Sequence, residues 1–453
     1  MKGKKLRLAI SGALACVTLS LGLTGCFYAG TNTPVSIVSV AKTSSDGLID
    51  TYTIYYSDGG TSTFQIANGA DGTDGEDGKD GTNGKDGKDG DGVAATDNSV
   101  VINQCLQTVG KVFCEFTESD DSTEDDETDT KTAVYTGACV IYRMDEEYTY
   151  FLTNYHVIYD TDAVEEKIST TIHCYLYGSE SVPKKQTDEN KKTYYTYDDY
   201  AIPCDYVGGA AQYDIALVRA ETSVVKSINE NAKAVTFAEE YYVGQTAIAI
   251  GNPHGGGISV TEGIVSVDND RISLNIDGTT RSYRSIRIDT ALYPGNSGGG
   301  LFNSDGELIG ITNAGDTEDQ NINYAVPVQI VKAVAQNVLI HNGVRKLTFG
   351  VTVTSKNSKY VYDEESGYGR IEEDIAISAV KGIAAEMGLE VGDILTAIEI
   401  DGAEYELERY FDIGDYALYL TEGVKFRFLY ERGGTAGATS VYEVKDEDLK
   451  TIA

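Results

Sequence analysis

A long series of short strand-like segments between residues 99 and 345 limits the folds open to this chain. Apolar and polar residues alternate within the segments, and Gly, Asn and Asp separate one segment from the next. This pattern is typical of antiparallel sandwiches and barrels, and the region is long enough for two barrels. We therefore expect a mainly β structure, for which hydrophobic residues at 41% of the sequence supply enough core.

The N-terminus has the pattern of an export signal that carries a lipid. Residues 1–25 begin with basic residues, and an apolar run rich in Leu and Ala follows. The run ends in Leu23-Thr24-Gly25-Cys26, which is similar to the bacterial lipobox and implies that Cys26 is acylated. We expect a protein held by this lipid on the extracytoplasmic face of the cell membrane. Ordinary cleavage and an uncleaved anchor are the alternatives.

The chain is strongly acidic, with a formal net charge of −35 at pH 7. Such a surface repels phosphate backbones, which makes nucleic acid a poor candidate partner. It also repels anionic headgroups, so a membrane contact depends on the acyl chains. Besides Cys26, the exported chain keeps five cysteines, which allow at most two disulfides and show no CxxC spacing of a zinc site. We expect no metal and no cofactor.

Two small segments precede the main region. Residues 26–68 contain the lipidated N-terminus and then, over residues 31–68, the alternation of a small β-meander, with hairpin turns at Asp46-Gly47 and Asp58-Gly59-Gly60. In residues 69–92, Gly occupies every third position from Gly69 to Gly90, which is the period of a collagen-like triple helix. Because this tract has no proline, a flexible spacer, a short triple helix and a calcium-binding tract all stay open.

Three sites in the main region combine a reactive side chain with a segment that would hold it. His156 stands at the end of an apolar strand, and Asp214 enters a strand that reads as buried. A buried carboxylate needs a partner, and an imidazole N–H would serve. Ser297 is surrounded by glycines, which let the backbone turn sharply and expose the hydroxyl. Together they supply the nucleophile, the acid–base residue and the orienting acid of serine acyl transfer.

Most of residues 133–333 resembles the HtrA/Deg family of chymotrypsin-fold serine proteases. The motifs that carry the resemblance are Thr153-Asn154-Tyr155-His156-Val157, Asp214-Ile215-Ala216-Leu217, Gly251-Asn252-Pro253, Val260-Thr261-Glu262-Gly263-Ile264-Val265-Ser266, Asp289-Thr290-Ala291-Leu292-Tyr293-Pro294-Gly295-Asn296-Ser297-Gly298-Gly299 and Gly306-Glu307-Leu308-Ile309-Gly310-Ile311. The resemblance implies a trypsin-like double β-barrel over residues 93–345. It also implies an oxyanion hole formed by the N–H groups of Gly295 and Ser297.

The same resemblance implies a primary substrate pocket lined by Leu292 and Ile311. The position six before the serine is Ala and not Asp, so a preference for Lys or Arg is not supported. A modest apolar side chain is the expected choice. An insertion over residues 160–205 lengthens the connection from the histidine to the acid, which leaves Asp205 as a weaker competitor of Asp214.

Residues 346–453 resemble a PDZ domain of the HtrA type. The motifs are Phe349-Gly350-Val351, Ala384-Ala385-Glu386-Met387-Gly388-Leu389, Val391-Gly392-Asp393-Ile394-Leu395 and Ile398-Glu399-Ile400-Asp401-Gly402. By this resemblance Phe349, Gly350 and Val351 receive the carboxylate of a C-terminal peptide, which adds to the sheet as a strand. An insertion over residues 356–370 departs from the pattern and would cover or reshape that groove. A structural cap that binds nothing is the alternative.

These observations predict a lipid-anchored, extracytoplasmic, HtrA-like serine endopeptidase. The resemblance implies unfolded or misfolded exported polypeptides as substrates and a homotrimer as the assembly. Two other functions stay open: a proteolytically dormant, PDZ-containing binding or holdase protein, and a stalked surface adhesin.

Overall fold

The computed structural model describes residues 37–67, 97–119, 130–179, 181–189, 192–315, 321–364 and 367–452. The chain forms two compact units, Met1–Gly92 and Val93–Ala453. The export signal with Cys26 and the glycine-periodic tract lie outside the described residues. None of the helices in the described part of the chain has the length and apolar character needed to cross a bilayer.

The first unit contains an antiparallel sheet of three strands, in the order β1 (Ile37–Asp46), β2 (Ile49–Tyr56) and β3 (Thr61–Ala67). Gly47 and Gly59 adopt positive φ at the two turns, where other side chains would be strained. Tyr52 and Phe64 lie opposite each other on β2 and β3, and their ring centres are 5.4 Å apart. The residues of β1 and β3 are exposed, so this sheet buries little.

The second unit begins with a closed barrel. In chain order its elements are α1 (Ser99–Cys105), β4 (Val109–Ser119), β5 (Thr130–Met144), β6 (Tyr148–Thr153), α2 (Tyr155–Ile158), β7 (Thr171–Leu176), β8 (Lys184–Thr187), β9 (Thr193–Thr196), β10 (Ile202–Ala210), β11 (Ile215–Glu221) and α3 (Thr222–Ile228). Six strands close in the order β10-β11-β6-β5-β4-β7, and β7 pairs with β10. The inserted residues after position 160 form β7 and a separate hairpin, β8–β9.

Cysteines fill part of this barrel. Cys114, Cys139, Cys174 and Cys204 are buried on four consecutive strands of the barrel, and the Sγ atoms of Cys139 and Cys174 are 3.7 Å apart. Hydrogen bonds with the two neighbouring thiols, together with burial, raise the pKa of Cys174. All four thiols are free, as is Cys105. They therefore pack as small apolar residues.

A second barrel follows. Its elements are β12 (Thr236–Phe237), β13 (Thr246–Gly251), β14 (Ser259–Asn275), β15 (Thr280–Ile288), β16 (Gly300–Phe302), β17 (Glu307–Gly315), β18 (Asn323–Pro327) and α4 (Val328–His341). The sheet runs in the order β12-β17-β16-β13-β14-β15-β18, and a further pairing of β17 with β18 closes six strands into a ring. Buried residues from both barrels share one core, among them Val140, Leu152, Ile248 and Phe302. The predicted mainly β double barrel is confirmed.

The C-terminal region forms an antiparallel sheet with two helices. Its elements are β19 (Val344–Leu347), β20 (Val351–Tyr362), β21 (Gly369–Val380), α5 (Gly382–Glu386), β22 (Ile394–Ile400), β23 (Ala403–Glu406), α6 (Asp412–Tyr419), β24 (Lys425–Arg432), β25 (Thr435–Ala438), β26 (Tyr442–Glu443) and β27 (Leu449–Ile452). The sheet order is β20-β21-β22-β24-β25, while β19 pairs with β27. The insertion over residues 356–370 extends the β20–β21 hairpin. Tyr368, in the turn of this hairpin, stacks on Tyr242 of the peptidase side with ring centres 4.5 Å apart. The PDZ assignment stays a prediction.

Ion pairs join the C-terminal region to the second barrel. Arg284 on β15 pairs with Asp415 on α6, and these side chains are only 8% and 16% exposed. Arg409 Nη1 lies 2.6 Å from Asp268 Oδ2 on β14, and the Arg284 guanidinium lies 4.3 Å from the centre of the Phe411 ring. These residues border a cleft of about 770 Å³ between the two regions. The interface between the C-terminal region and the second barrel, called the ionic seam below, is therefore stabilised by ion pairs, because a buried charge is costly when unpaired.

Replacing Arg284 by Ala is expected to lower the free energy of unfolding by roughly 3–5 kcal/mol, because the Asp415 carboxylate, only 16% exposed, loses its partner. The control is Lys425→Ala, which removes an exposed pair whose two side chains are 58% and 62% exposed. That change should cost no more than about 1 kcal/mol. Urea denaturation followed by circular dichroism compares the two variants, and equal losses would contradict a buried ionic seam.

Candidate active site

His156 lies one helical turn beyond the strand that precedes it. The sequence predicted this residue at the end of an apolar strand, but β6 ends at Thr153 and His156 is the second residue of the short helix α2. Asn154 lies between the strand and the helix with an extended backbone, and its Nδ2 donates to the main-chain carbonyl of Asp214 at 2.7 Å. The imidazole keeps a third of its surface exposed and can still reach a substrate.

Asp214 is fully buried and faces His156. It follows the 3₁₀ turn Ala211–Tyr213, precedes β11 and has a left-handed backbone with φ of 54°. Asp is one of the few residues that accept this conformation at low cost. Its Oδ1 accepts the main-chain N–H of His156 at 3.0 Å, and its Oδ2 lies 2.8 Å from the ring Nδ1. Asp205, the competing acid, is exposed on β10 opposite Arg219.

The carboxylate changes the protonation of the ring. Burial alone lowers the pKa of His156, but the negative charge of Asp214 and the hydrogen bond to it outweigh burial. The pKa of His156 therefore lies above its ordinary value of 6.5. The bond at Nδ1 leaves Nε2 as the ring nitrogen available for chemistry.

Ser297 lies in a turn that is fixed to both barrels. Its carbonyl accepts the N–H of Ala138 on β5 at 2.8 Å, and the next residue, Gly298, donates to the carbonyl of Thr312 on β17 at 2.9 Å. Gly298 has φ of 86°, and a Cβ there would collide with the carbonyl oxygen of Ala138. Only glycine fits this position, so the nucleophile loop sits directly against β5.

The same strand supports the histidine segment. Ala138 donates its N–H to Ser297, and its carbonyl accepts the hydroxyl of Thr153 at 2.9 Å. A Cβ at Gly298 would also lie 3.1 Å from the main-chain nitrogen of Asn154. The structure thus brings the loop of Ser297 against the segment that leads to His156, and it joins His156 to Asp214 directly.

Asn313 is a site residue that the sequence analysis missed. Its main-chain carbonyl accepts the hydroxyl of Ser297 at 3.3 Å, and its Nδ2 donates to the hydroxyl of Tyr283 at 2.5 Å. Asn313 follows Ile311-Thr312 on β17, and nothing in its local sequence marks it, because its contacts come from residues 16 and 30 positions away.

The expected pocket and groove residues are spread over several elements. Leu292 is half-buried beside the second barrel core, whereas Ile311 is fully buried between the barrels and has no exposed surface. In the C-terminal region, Gly350 has φ of 83° and its carbonyl accepts the N–H of Lys381 at 2.7 Å. Within the described ranges, no cluster of His, Cys, Asp and Glu is arranged to hold a metal ion.

Comparisons with known proteins agree with this geometry. Residues 136–311 match the model of the trypsin-like peptidase domain. The chain is 26% identical over 334 residues to a Do-like HtrA serine protease of Lactococcus lactis subsp. cremoris, covering 70% of this chain and 72% of the relative. It is 28% identical over 315 residues to the Do-like HtrA serine protease of Bacillus subtilis (66% and 61%) and 32% identical over 191 residues to the putative serine protease HhoB of Synechocystis (40% and 45%).

The chain also aligns with solved structures of proteases. The HtrA-type protease AlgW with a decapeptide aligns with a TM-score of 0.46 at 23% identity, covering 79% of this chain and 99% of that one. A serine endoprotease from Yersinia pestis aligns with a TM-score of 0.40 at 20% identity, covering 77% and 99%. This chain spans only about three fifths of the Bacillus relative. The domain match and the named relatives confirm the predicted enzyme class, a serine endopeptidase.

The chain has only four histidines, so an NMR titration can resolve His156. We expect its pKa to lie above 6.5 in the native chain and below 6.5 in Asp214→Asn, where burial remains but the negative charge is gone. Because the folded-state pKa is raised, the pair stabilises the fold fully below the unfolded-state pKa. That contribution is lost as the pH rises through the folded-state pKa. An unchanged pKa in Asp214→Asn would contradict the ion pair.

Proposed function

We propose that this chain is a lipid-anchored, extracytoplasmic, HtrA-like serine endopeptidase with the triad Ser297, His156 and Asp214. The observation that carries the proposal is the bond of 2.8 Å between His156 Nδ1 and the fully buried Asp214, inside the segment that matches a trypsin-like peptidase domain. A buried carboxylate that holds one imidazole nitrogen leaves the other nitrogen aimed outward as a base.

The reaction follows from these positions. Ser297 Oγ attacks the peptide carbonyl while His156 Nε2 takes the hydroxyl proton, which it then gives to the leaving amine. Asp214 keeps the ring in the required tautomer and stabilises the imidazolium that forms. Water then repeats the sequence on the acyl-enzyme, and the N–H groups of Gly295 and Ser297 stabilise the oxyanion in both steps.

The serine rests in a different hydrogen bond from the one it uses. Among the described residues, its hydroxyl donates to the carbonyl of Asn313, at a distance of 3.3 Å that is long for an O–H···O bond. Such a bond is weak, so a rotation of the side chain toward His156 costs little. This resting geometry fits an enzyme whose serine aligns when substrate enters, and it also keeps the dormant alternative open to test.

The substrates we propose are unfolded or misfolded exported polypeptides. Extended, exposed chain is what a cleft between two barrels accepts, and the relatives named above are Do-like HtrA serine proteases. The C-terminal region would bind peptide C-termini at the edge strand β20, where Val351 and Val353 are half-buried and to which, among the described strands, only β21 is paired. The positive φ of Gly350 suits a carboxylate-binding loop at the start of that strand.

Replacing Ser297 by Ala is expected to lower cleavage of denatured casein by at least about 10³-fold, because the nucleophile is lost while the fold remains. A fluorophosphonate probe should label the native chain and not the variant, since only an activated serine reacts. Ser304→Ala, on an exposed turn of the same barrel, is the matched control and should keep full activity. Casein cleavage by Ser297→Ala would rule out this triad, and a native chain that neither cleaves nor labels would favour the dormant binding protein.

Anchoring by lipid has its own test. Cys26→Ser removes the proposed acylation site, and a chain with a formal net charge of −35 has no electrostatic attraction to anionic membranes. The native chain should sediment with membranes, and the variant should appear in the soluble exported fraction with its peptidase activity intact. Continued sedimentation of the variant would point to an uncleaved apolar anchor instead.

A further inference from the structure

A short segment after β13 lies against the loop of Ser297. Asn252, which is fully buried, fixes this segment with three side-chain hydrogen bonds. Its Nδ2 donates to Thr136 Oγ1 at 2.9 Å and to the carbonyl of Gly137 at 3.1 Å, both on β5, and its Oδ1 accepts the N–H of Gly257 at 3.0 Å. The segment is thus tied to the strand that also holds Ser297.

The segment forms a main-chain hydrogen bond to the peptide group between Pro294 and Gly295 in the nucleophile loop. The N–H of His254 donates to the carbonyl of Pro294 at 2.7 Å. His254 makes this bond from a left-handed conformation with φ of 55°, which an L side chain rarely adopts and which the surrounding structure must impose. A trans peptide places its C=O and its following N–H on opposite sides. The N–H of Gly295 therefore points away from the segment of Asn252.

The backbone of the Asn252–His254 segment is in direct contact with the backbone of Gly295. A Cβ at Gly295 would collide with the carbonyl oxygen of Asn252 and would lie 2.9 Å from the nitrogen of His254. Gly295 itself has φ of 99°. The peptide between residues 294 and 295 can therefore neither tilt toward the segment nor carry a side chain there, so its orientation is set by the segment.

We propose that Asn252 is a positioning residue for the oxyanion hole: it holds His254 where its N–H fixes the carbonyl of Pro294, and this aims the N–H of Gly295 at the oxyanion. The inference rests on the proposed function and deepens it. Asn252 itself contacts none of the reacting groups. It acts through the backbone, by fixing the position of the N–H of Gly295 relative to β5. The same strand holds the carbonyl of Ser297 through the N–H of Ala138.

The test compares Asn252→Ala and Asn252→Asp with the native chain. The Ala variant removes all three side-chain bonds. The Asp variant keeps an acceptor for the N–H of Gly257 but loses the donation to β5 and buries a carboxylate beside the carbonyl of Gly137. The Ala variant adds no buried charge, so it is expected to fold even if the Asp variant does not. We expect kcat to fall about 10- to 100-fold, somewhat less than loss of a whole oxyanion donor costs. KM should change by less than about threefold, because ground-state binding is not altered.

The matched control is Asn337→Ala. Asn337 is equally buried and also makes three side-chain hydrogen bonds, to the carbonyls of Arg345 and Leu418 and from the N–H of Arg345, but it lies on α4 outside the site. It should lose thermal stability comparable to Asn252→Ala and keep kcat. A peptide aldehyde, which forms a tetrahedral adduct with the serine, should lose affinity for the Asn252 variants in proportion to kcat.

The outcomes separate this inference from the function on which it rests. A native chain without peptidase activity would remove the proposed function. An active native chain whose Asn252 variants match the Asn337 control in kcat and aldehyde affinity would overturn the positioning role while leaving the triad in place. A higher KM with unchanged kcat in the Asn252 variants would also overturn the positioning role, since that result would place Asn252 in substrate binding.

Discussion

The buried carboxylate of Asp214 is the constraint on which the arrangement of the site depends. A fully buried charge opposes folding unless it is paired, and His156 offers it two donors, one from the main chain and one from the ring. The left-handed turn at Asp214 aims the carboxylate at these donors as the chain enters β11. Because the Asp214 carboxylate must be paired, it fixes the position of the His156 imidazole before any substrate binds.

Strand β5 supports the rest of the site. Ala138 holds the carbonyl of Ser297 and the hydroxyl of Thr153, and the preceding Gly137 accepts a hydrogen bond from Asn252. A Cβ at Gly137 would lie 2.8 Å from the carbonyl of Ser297, so close packing requires glycine there. Because β5 belongs to the first barrel while Ser297 and Asn252 belong to the second, the strand sets the relative position of the two halves.

The double barrel could be predicted from the sequence, and His156, Asp214 and Ser297 could be singled out as candidates, because alternation, turn residues and short motifs are local signals. The position of His156 within α2 could not, since the bond that holds this segment joins Asn154 to Asp214, 60 residues apart. Asn313 has no local signal for the same reason. Ile311 was expected to line a pocket by resemblance, and the structure buries it completely in the core between the barrels.

The thiols inside the first barrel have a consequence for how its motions can be followed. No two of the four stand directly opposite each other: Cys139 faces Gly110, Cys174 faces Val112 and Ile202, and Cys114 and Cys204 both face Ile172. A thiol reagent reacts with them only when strands separate, because the thiols are buried. Their reaction rates therefore report local opening of this barrel without any introduced label.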